Sequence, residues 1–164
     1  MPKIRIVLAD DHQILRQGIR ALLNAQADIE VVGEASDGHE LVDLIGKLAP
    51  QIVITDIAMT NLNGLEATRQ IHKRYPNSQI IVVSMHSAST YVIRALRSGA
   101  LGYILKDDNF EEVLRAVRAV IQGRRYLSPQ VSDQVLDLLL ADSDRELEPE
   151  NLLTEREREV LQLI

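Results

Sequence analysis

The chain has 164 residues, 46% of them apolar, enough for one full domain with an extension and a real core. It has no Cys, which excludes disulfides and thiolate metal ligands, and no apolar run approaches the roughly 20 residues of a membrane helix. Net charge is −6, split as −1 over residues 1–123 and −5 over residues 124–164, which argues against a basic surface for nucleic-acid phosphates. The sequence enters a strand at once, with no charged-then-apolar leader, so a soluble cytoplasmic protein is expected.

Ile4–Ala9 is an apolar run that predicts a first strand, and Asp11 predicts the cap of a helix on which Leu15, Ile19, Leu22 and Leu23 share a face. Ile29–Ala35 predicts a second strand, centred on Val31 and Val32, and Ser36-Asp37-Gly38 a turn. Leu41, Leu44, Ile45 and Leu48 predict a second amphipathic helix, stopped by Pro50. Ile52-Val53-Ile54 is continuous and β-branched, as in a strand buried on both faces, and the run ends abruptly in Asp56. After a loop at Asn61-Leu62-Asn63-Gly64, the residues Leu65, Thr68, Ile71 and Tyr75 line a third helix that Pro76 ends. A fourth strand runs from Ile80 to Ser84, a weaker helix from about Thr90 to Ser98, and a fifth strand from Gly102 to Leu105. The fifth helix has the clearest period (Phe110, Val113, Leu114, Val117, Val120 and Ile121), and Gly123 stops it. Strand and helix thus alternate through residue 123, the pattern of an α/β fold with a doubly wound parallel sheet.

Beyond Gly123 the character changes. Arg124–Pro129 reads as a connector, and Ser128 followed by Pro129 as a helix start. Val131, Val135, Leu138 and Leu139 give that helix one apolar face, and Ala141–Asn151 is an acidic linker containing Pro149. Thr154-Glu155-Arg156-Glu157 is a capping box that opens one more helix, whose apolar face begins with Val160, Leu161 and Ile164. The expected division is a domain over residues 1–123, a linker with one helix over 124–152, and the start of a second domain over 153–164.

In open α/β sheets the ligand crevice lies outside the carboxyl ends of the strands. Four of the five expected strands end there in polar residues: Asp10-Asp11, Asp56, Ser84 and Lys106. Each alone has a plainer role, the aspartates as caps, Ser84 in a turn, Lys106 as a solvated side chain, and nearby Tyr103 as a strand aromatic. Together they point elsewhere. Carboxylates gathered near one point repel and raise one another's pKa values unless a cation joins them, and oxygen ligands without His or Cys favour Mg²⁺ over zinc. A carboxylate nucleophile, a metal, a hydroxyl and an ammonium suit phosphoryl transfer, with Asp56 as acceptor. His12 and His86 flank this group and are expected to face solvent.

The stretches Leu8-Ala9-Asp10-Asp11-His12, Ile52-Val53-Ile54-Thr55-Asp56-Ile57-Ala58-Met59, Val82-Val83-Ser84-Met85 and Gly102-Tyr103-Ile104-Leu105-Lys106-Asp107 resemble the receiver domain of two-component response regulators. The resemblance spans about residues 3–123. It implies a flavodoxin-like, five-stranded sheet of order 2-1-3-4-5, and a sensor histidine kinase as phosphoryl donor to Asp56. It also implies that Asp11, Asp56 and the Ala58 backbone carbonyl bind Mg²⁺ directly, with Asp10 acting partly through water. Ser84 and Lys106 would hold the phosphoryl oxygens, and Tyr103 would turn inward as Ser84 moves. Many receivers carry Pro where this chain has Thr60 and Asp107.

The run Leu153–Leu161 resembles the opening of a LuxR-type helix-turn-helix domain, which suggests the NarL/FixJ subfamily of transcription regulators. Homodimerisation on phosphorylation is implied by that subfamily. DNA binding is expected only through helix-turn-helix residues beyond Ile164, since a lone first helix buries no core.

Three rivals have distinct signatures. A phosphatase of the haloacid dehalogenase type needs a second acid two residues after its nucleophile, where this chain has Ala58. A flavin carrier needs a Ser-, Thr- and Gly-rich first loop, where Asp10-Asp11-His12 would repel a phosphate. A receiver-like interaction module that is never phosphorylated would have no need of an intact site.

Overall fold

The computed structural model describes residues 2–59 and 62–145. The expected helix opening at Thr154, the Thr60 position and most of the acidic stretch lie outside them. β1 (Ile4–Ala9), β2 (Ile29–Ala35), β3 (Ile52–Asp56), β4 (Gln79–Ser84) and β5 (Gly102–Leu105) are the five expected strands. Between and after them run α1 (Gln13–Asn24), α2 (Gly38–Leu48), α3 (Gly64–Arg74), α4 (Ser89–Arg97) and α5 (Phe110–Val120). A two-residue β6 (Tyr126–Leu127) and a long α6 (Pro129–Arg145) follow. The sheet is parallel throughout, in the order β2-β1-β3-β4-β5-β6. The expected flavodoxin-like order is therefore present, with one more strand on its β5 edge.

Alternation along the strands divides the core. Ile6 and Leu8 of β1, Ile52 and Ile54 of β3, and Ile81 and Val83 of β4 pack with Ile19 and Leu23 of α1 and with Val113, Val117 and Val120 of α5. Val7, Val53, Val82 and Tyr103 face the other way, onto Leu41 and Ile45 of α2, Ile71 of α3, Val92 of α4 and Val131 of α6. With helices on both faces, the strands need apolar side chains on both, which is why Ile52-Val53-Ile54 does not alternate.

Caps fix the helix starts. Asp37, Asn63 and Asn109 each accept a hydrogen bond from the backbone N–H three residues on. Asp11 does not cap α1 as expected. The cap is His12, in extended conformation and with no side-chain cap bond, because the Asp10 carboxylate accepts the His12 amide instead, at 2.8 Å. Gly123 ends α5 with φ at 78°, a conformation that costs glycine nothing.

The segment after Gly123 is more closely built into the fold than a connector. The Tyr126 N–H donates to the Leu101 carbonyl at 3.0 Å and the Ser128 N–H to the Tyr103 carbonyl at 3.1 Å, which lays β6 along β5. Val131 is fully buried beneath α6. Ser128 caps α6 through its carbonyl, which accepts from Ser132 N at 2.9 Å, while its buried hydroxyl has no hydrogen-bond partner among the described residues. The helix runs on to Arg145, through the first five residues of the acidic stretch expected to be linker. Among the described residues no helix is long and apolar enough to cross a membrane.

Candidate functional site

Register brings the strand ends together. Ala9 pairs with Thr55, so Asp10 and Asp56 leave neighbouring strands at the same level. Asp56 pairs with Val83 and Ser84 with Leu105, which sets Ser84 and Lys106 on the next two strands along the same edge. Gly64 lets the chain turn tightly behind Asp56. A Cβ there would stand 1.7 Å from the Asp56 carbonyl oxygen, so any side chain would push the phosphoacceptor candidate's own backbone.

Asp10 and Asp56 are almost fully buried, and Asp11 is partly open to solvent. The Lys106 side chain, 6% exposed, reaches across the crevice between them. Its Nζ donates to Asp56 Oδ2 at 2.8 Å, lies 3.1 Å from Asp10 Oδ2, and is 3.0 Å from His12 Nδ1. The other Asp56 oxygen, Oδ1, accepts the Ala58 amide at 3.3 Å. Burial pushes the Asp56 carboxyl above its ordinary value, against the hydrogen bond and charge of Lys106. Burial also acts to lower the Lys106 ammonium, but the hydrogen bond and charge of Asp56, helped by Asp10, outweigh it and hold the lysine above its usual range. Lysine is thus firmly charged in the crevice.

One atom each of Asp10, Asp11, His12 and Asp56 lies within 4.8 Å of the others, a group able to hold a metal ion. The three carboxylates are those expected from sequence. His12 is a departure: its side chain is 64% exposed, in line with the expectation that it faces solvent, yet its ring nitrogen turns into this cluster. The signal for it is the Asp-Asp-His order, since a residue directly after a strand-end acid starts on the same rim.

Ser84 is fully buried, and its Oγ accepts the His86 amide at 3.0 Å. Tyr103 is also fully buried, turned inward, and donates from its hydroxyl to the His86 carbonyl at 2.6 Å. Burial pushes that hydroxyl up to about 12, against a hydrogen bond with Ser84. His86 is thus held through both its backbone groups, and its ring stacks on Tyr91 of α4 at 4.2 Å. The Lys106–Asp107 peptide is trans, as are all peptide bonds among the described residues.

A family profile described as the response regulator receiver domain matches residues 6–118. The transcriptional regulatory protein DegU of Brevibacillus brevis is 37% identical over 176 residues, covering 99% of this chain and 75% of that protein. A LuxR-family two-component response regulator from Aurantimonas sp. SI85-9A1 superposes with a TM-score of 0.81 at 33% identity, over 84% of this chain and 99% of that one. A structure of two RcsB dimers bound to two parallel DNAs superposes with a TM-score of 0.75 at 27% identity, over 81% of this chain and 68% of that one. Sheet order, crevice and relatives agree, and the chain belongs to the response regulator family as a phosphorylation-dependent regulator of a two-component system.

Proposed function

We propose that Asp56 accepts a phosphoryl group from a sensor histidine kinase, and that the resulting switch controls transcription. The observation that carries this is the Lys106 ammonium held 2.8 Å from the Asp56 carboxylate at the open end of the sheet, with Asp10 beside it. In the transfer, the nitrogen–phosphorus bond of a phosphohistidine breaks as an ionised Asp56 oxygen forms a bond to phosphorus, so Asp56 neither gains nor loses a proton. Lys106 carries charge to meet the phosphoryl oxygens and the Ser84 hydroxyl can donate to them, which favours the planar phosphoryl in passage.

The three carboxylates of the cluster are hard oxygen donors and carry more negative charge than one ammonium offsets, so they fit Mg²⁺. Asp11, Asp56 and the Ala58 carbonyl would hold that ion, with Asp10 reaching it partly through water. When bound, Mg²⁺ neutralises phosphoryl oxygens.

The output begins at Ser84. For its hydroxyl to turn to the phosphoryl group, the bond from the His86 amide must loosen, and Tyr103, which holds the same residue's carbonyl, adjusts with it. We assign residues 1–123 to the receiver, 124–152 to a linker and 153–164 to the opening of a helix-turn-helix domain. Phosphorylation favours a homodimer, and DNA is bound through the helix-turn-helix domain; that RcsB is found as dimers bound to DNA supports this reading. A cytoplasmic location suits a kinase-fed regulator.

Acetyl phosphate with Mg²⁺, followed by intact mass, tests the assignment. One phosphoryl group is expected on the wild type and none on Asp56→Asn. Normal labelling of Asp56→Asn overturns it, and no labelling of either protein returns the reading to an interaction module.

A further inference from the structure

We propose that His12 is a nitrogen donor to the cation site and tilts it toward borderline divalent ions such as Co²⁺ and Zn²⁺ relative to Mg²⁺. This rests on the reading that Asp10, Asp11 and Asp56 hold the cation. Lysine ammonium can only donate, so in the tautomer that carries its proton on Nε2 the His12 Nδ1, 3.0 Å from Lys106 Nζ, accepts, with its lone pair directed into the cluster. The same Nδ1 lies 3.1 Å from Asp10 Oδ1 and 3.2 Å from Asp11 Oδ1. In that tautomer these are approaches between acceptors, and the ammonium is the cation among them. The other neutral tautomer would donate from Nδ1 to Asp10 Oδ1 and set that proton against the ammonium 3.0 Å away; a divalent cation that takes the place of the ammonium selects the tautomer with the free Nδ1 lone pair.

Among the described residues the ring has no hydrogen bond outside this cluster. His12 caps α1 without a side-chain cap bond, and its backbone amide and its ring nitrogen both meet Asp10 Oδ1. A divalent ion replacing the ammonium therefore meets one imidazole and three carboxylates. Imidazole adds little affinity for Mg²⁺, which prefers oxygen, and much for cobalt and zinc. The site then discriminates between ions through one residue outside the carboxylate set.

Titration calorimetry with Mg²⁺ and with Co²⁺ tests this on the full chain. His12→Ala should weaken Co²⁺ binding by about tenfold or more, and leave Mg²⁺ binding within about twofold. His12→Asp, which swaps nitrogen for oxygen, should strengthen Mg²⁺ and fail to restore Co²⁺. In the wild type, Zn²⁺ and not Mg²⁺ should move the His12 Nδ1 resonance in nitrogen-15 spectra. Equal weakening of both metals by His12→Ala makes the residue a loop support and overturns the proposal, as does no change in either. Asp56→Asn separates the underlying reading: if it leaves both affinities intact, the carboxylate cluster is not the metal site.

Discussion

Replacing Lys106 by Met keeps the bulk of the side chain and removes the charge that joins Asp10 to Asp56. All three side chains are within a few per cent of full burial. Removing one partner from a buried ion pair costs about 3–5 kcal/mol, because the charge left behind is unpaired. Without divalent ions, the variant should therefore be about 3 kcal/mol less stable, or about 1.5 M lower in urea midpoint at an m-value of about 2 kcal/mol/M. A bound divalent ion can replace the missing charge. At a hundred times its Kd it stabilises the wild type by about 2.7 kcal/mol. It should stabilise the variant more, since there is no ammonium to displace, and each tenfold gain in affinity adds about 1.4 kcal/mol. The deficit seen in EDTA should thus shrink as Mg²⁺ saturates both proteins. A second variant, Lys106→Met with Asp56→Asn, should recover much of the loss even in EDTA, because one of the stranded carboxylates is gone. Urea titrations of the three proteins with and without Mg²⁺ decide the matter. If Lys106→Met matches the wild type in EDTA, or its deficit is the same at saturating Mg²⁺, the lysine is not the counter-charge of the cluster.

The buried Tyr103 hydroxyl is pushed up to about 12, so the folded state holds that proton more tightly than the unfolded chain. Its stabilising effect is intact below pH about 10 and fades by pH about 12, a loss of about 2–3 kcal/mol. Tyr103→Phe should flatten that part of the alkaline stability profile by this amount while costing about 1 kcal/mol at neutral pH for its bond to His86. Superimposable alkaline slopes would refute the assignment. Val131, fully buried under α6, should cost about 1–2 kcal/mol as Val131→Ala. Val131→Asp should strip hydrogen-exchange protection from α6 and leave that of Ile52–Asp56 in place. Unchanged protection in α6 would mean that the helix does not depend on its contact with the sheet.

Most of the fold is legible because its strands are buried on both faces. A short β-branched run such as Ile52-Val53-Ile54 suits a strand covered on both sides and little else, and Pro50, Pro76 and Gly123 mark ends. What the sequence hides is short or depends on partners. Tyr126–Leu127 is too brief for any period to appear, and its pairing is dictated by the exposed edge of β5. The end of α6 falls later than its composition suggests: acidic residues after Ala141 have the character of a linker, yet nothing among them breaks a helix before Pro149. The strand-end aspartates, Ser84 and Lys106 are legible as a group because each follows an apolar run. His12 is legible only from its place directly after Asp10-Asp11, since an exposed histidine leaves no other pattern, and its ring nitrogen meets the cluster only once the strand ends are assembled. Phe110 shows the reverse: it fits the α5 period, yet it stands 44% exposed, against Gly18 of α1 and not within the core.

The bond from Ser128 N to the Tyr103 carbonyl determines where the chain leaves the sheet. From that point α6 extends for 17 residues, about 25 Å at the helical rise. It is a stiff spar with its foot on the backbone of Tyr103, on the strand whose end carries Lys106 into the crevice. Geometry then gives leverage: a tilt of about 10° at the foot carries the far tip by about 4 Å over that length. Small adjustments at β5 are thereby magnified along α6 as far as Arg145, where a flexible tether starting at Gly123 would average them away.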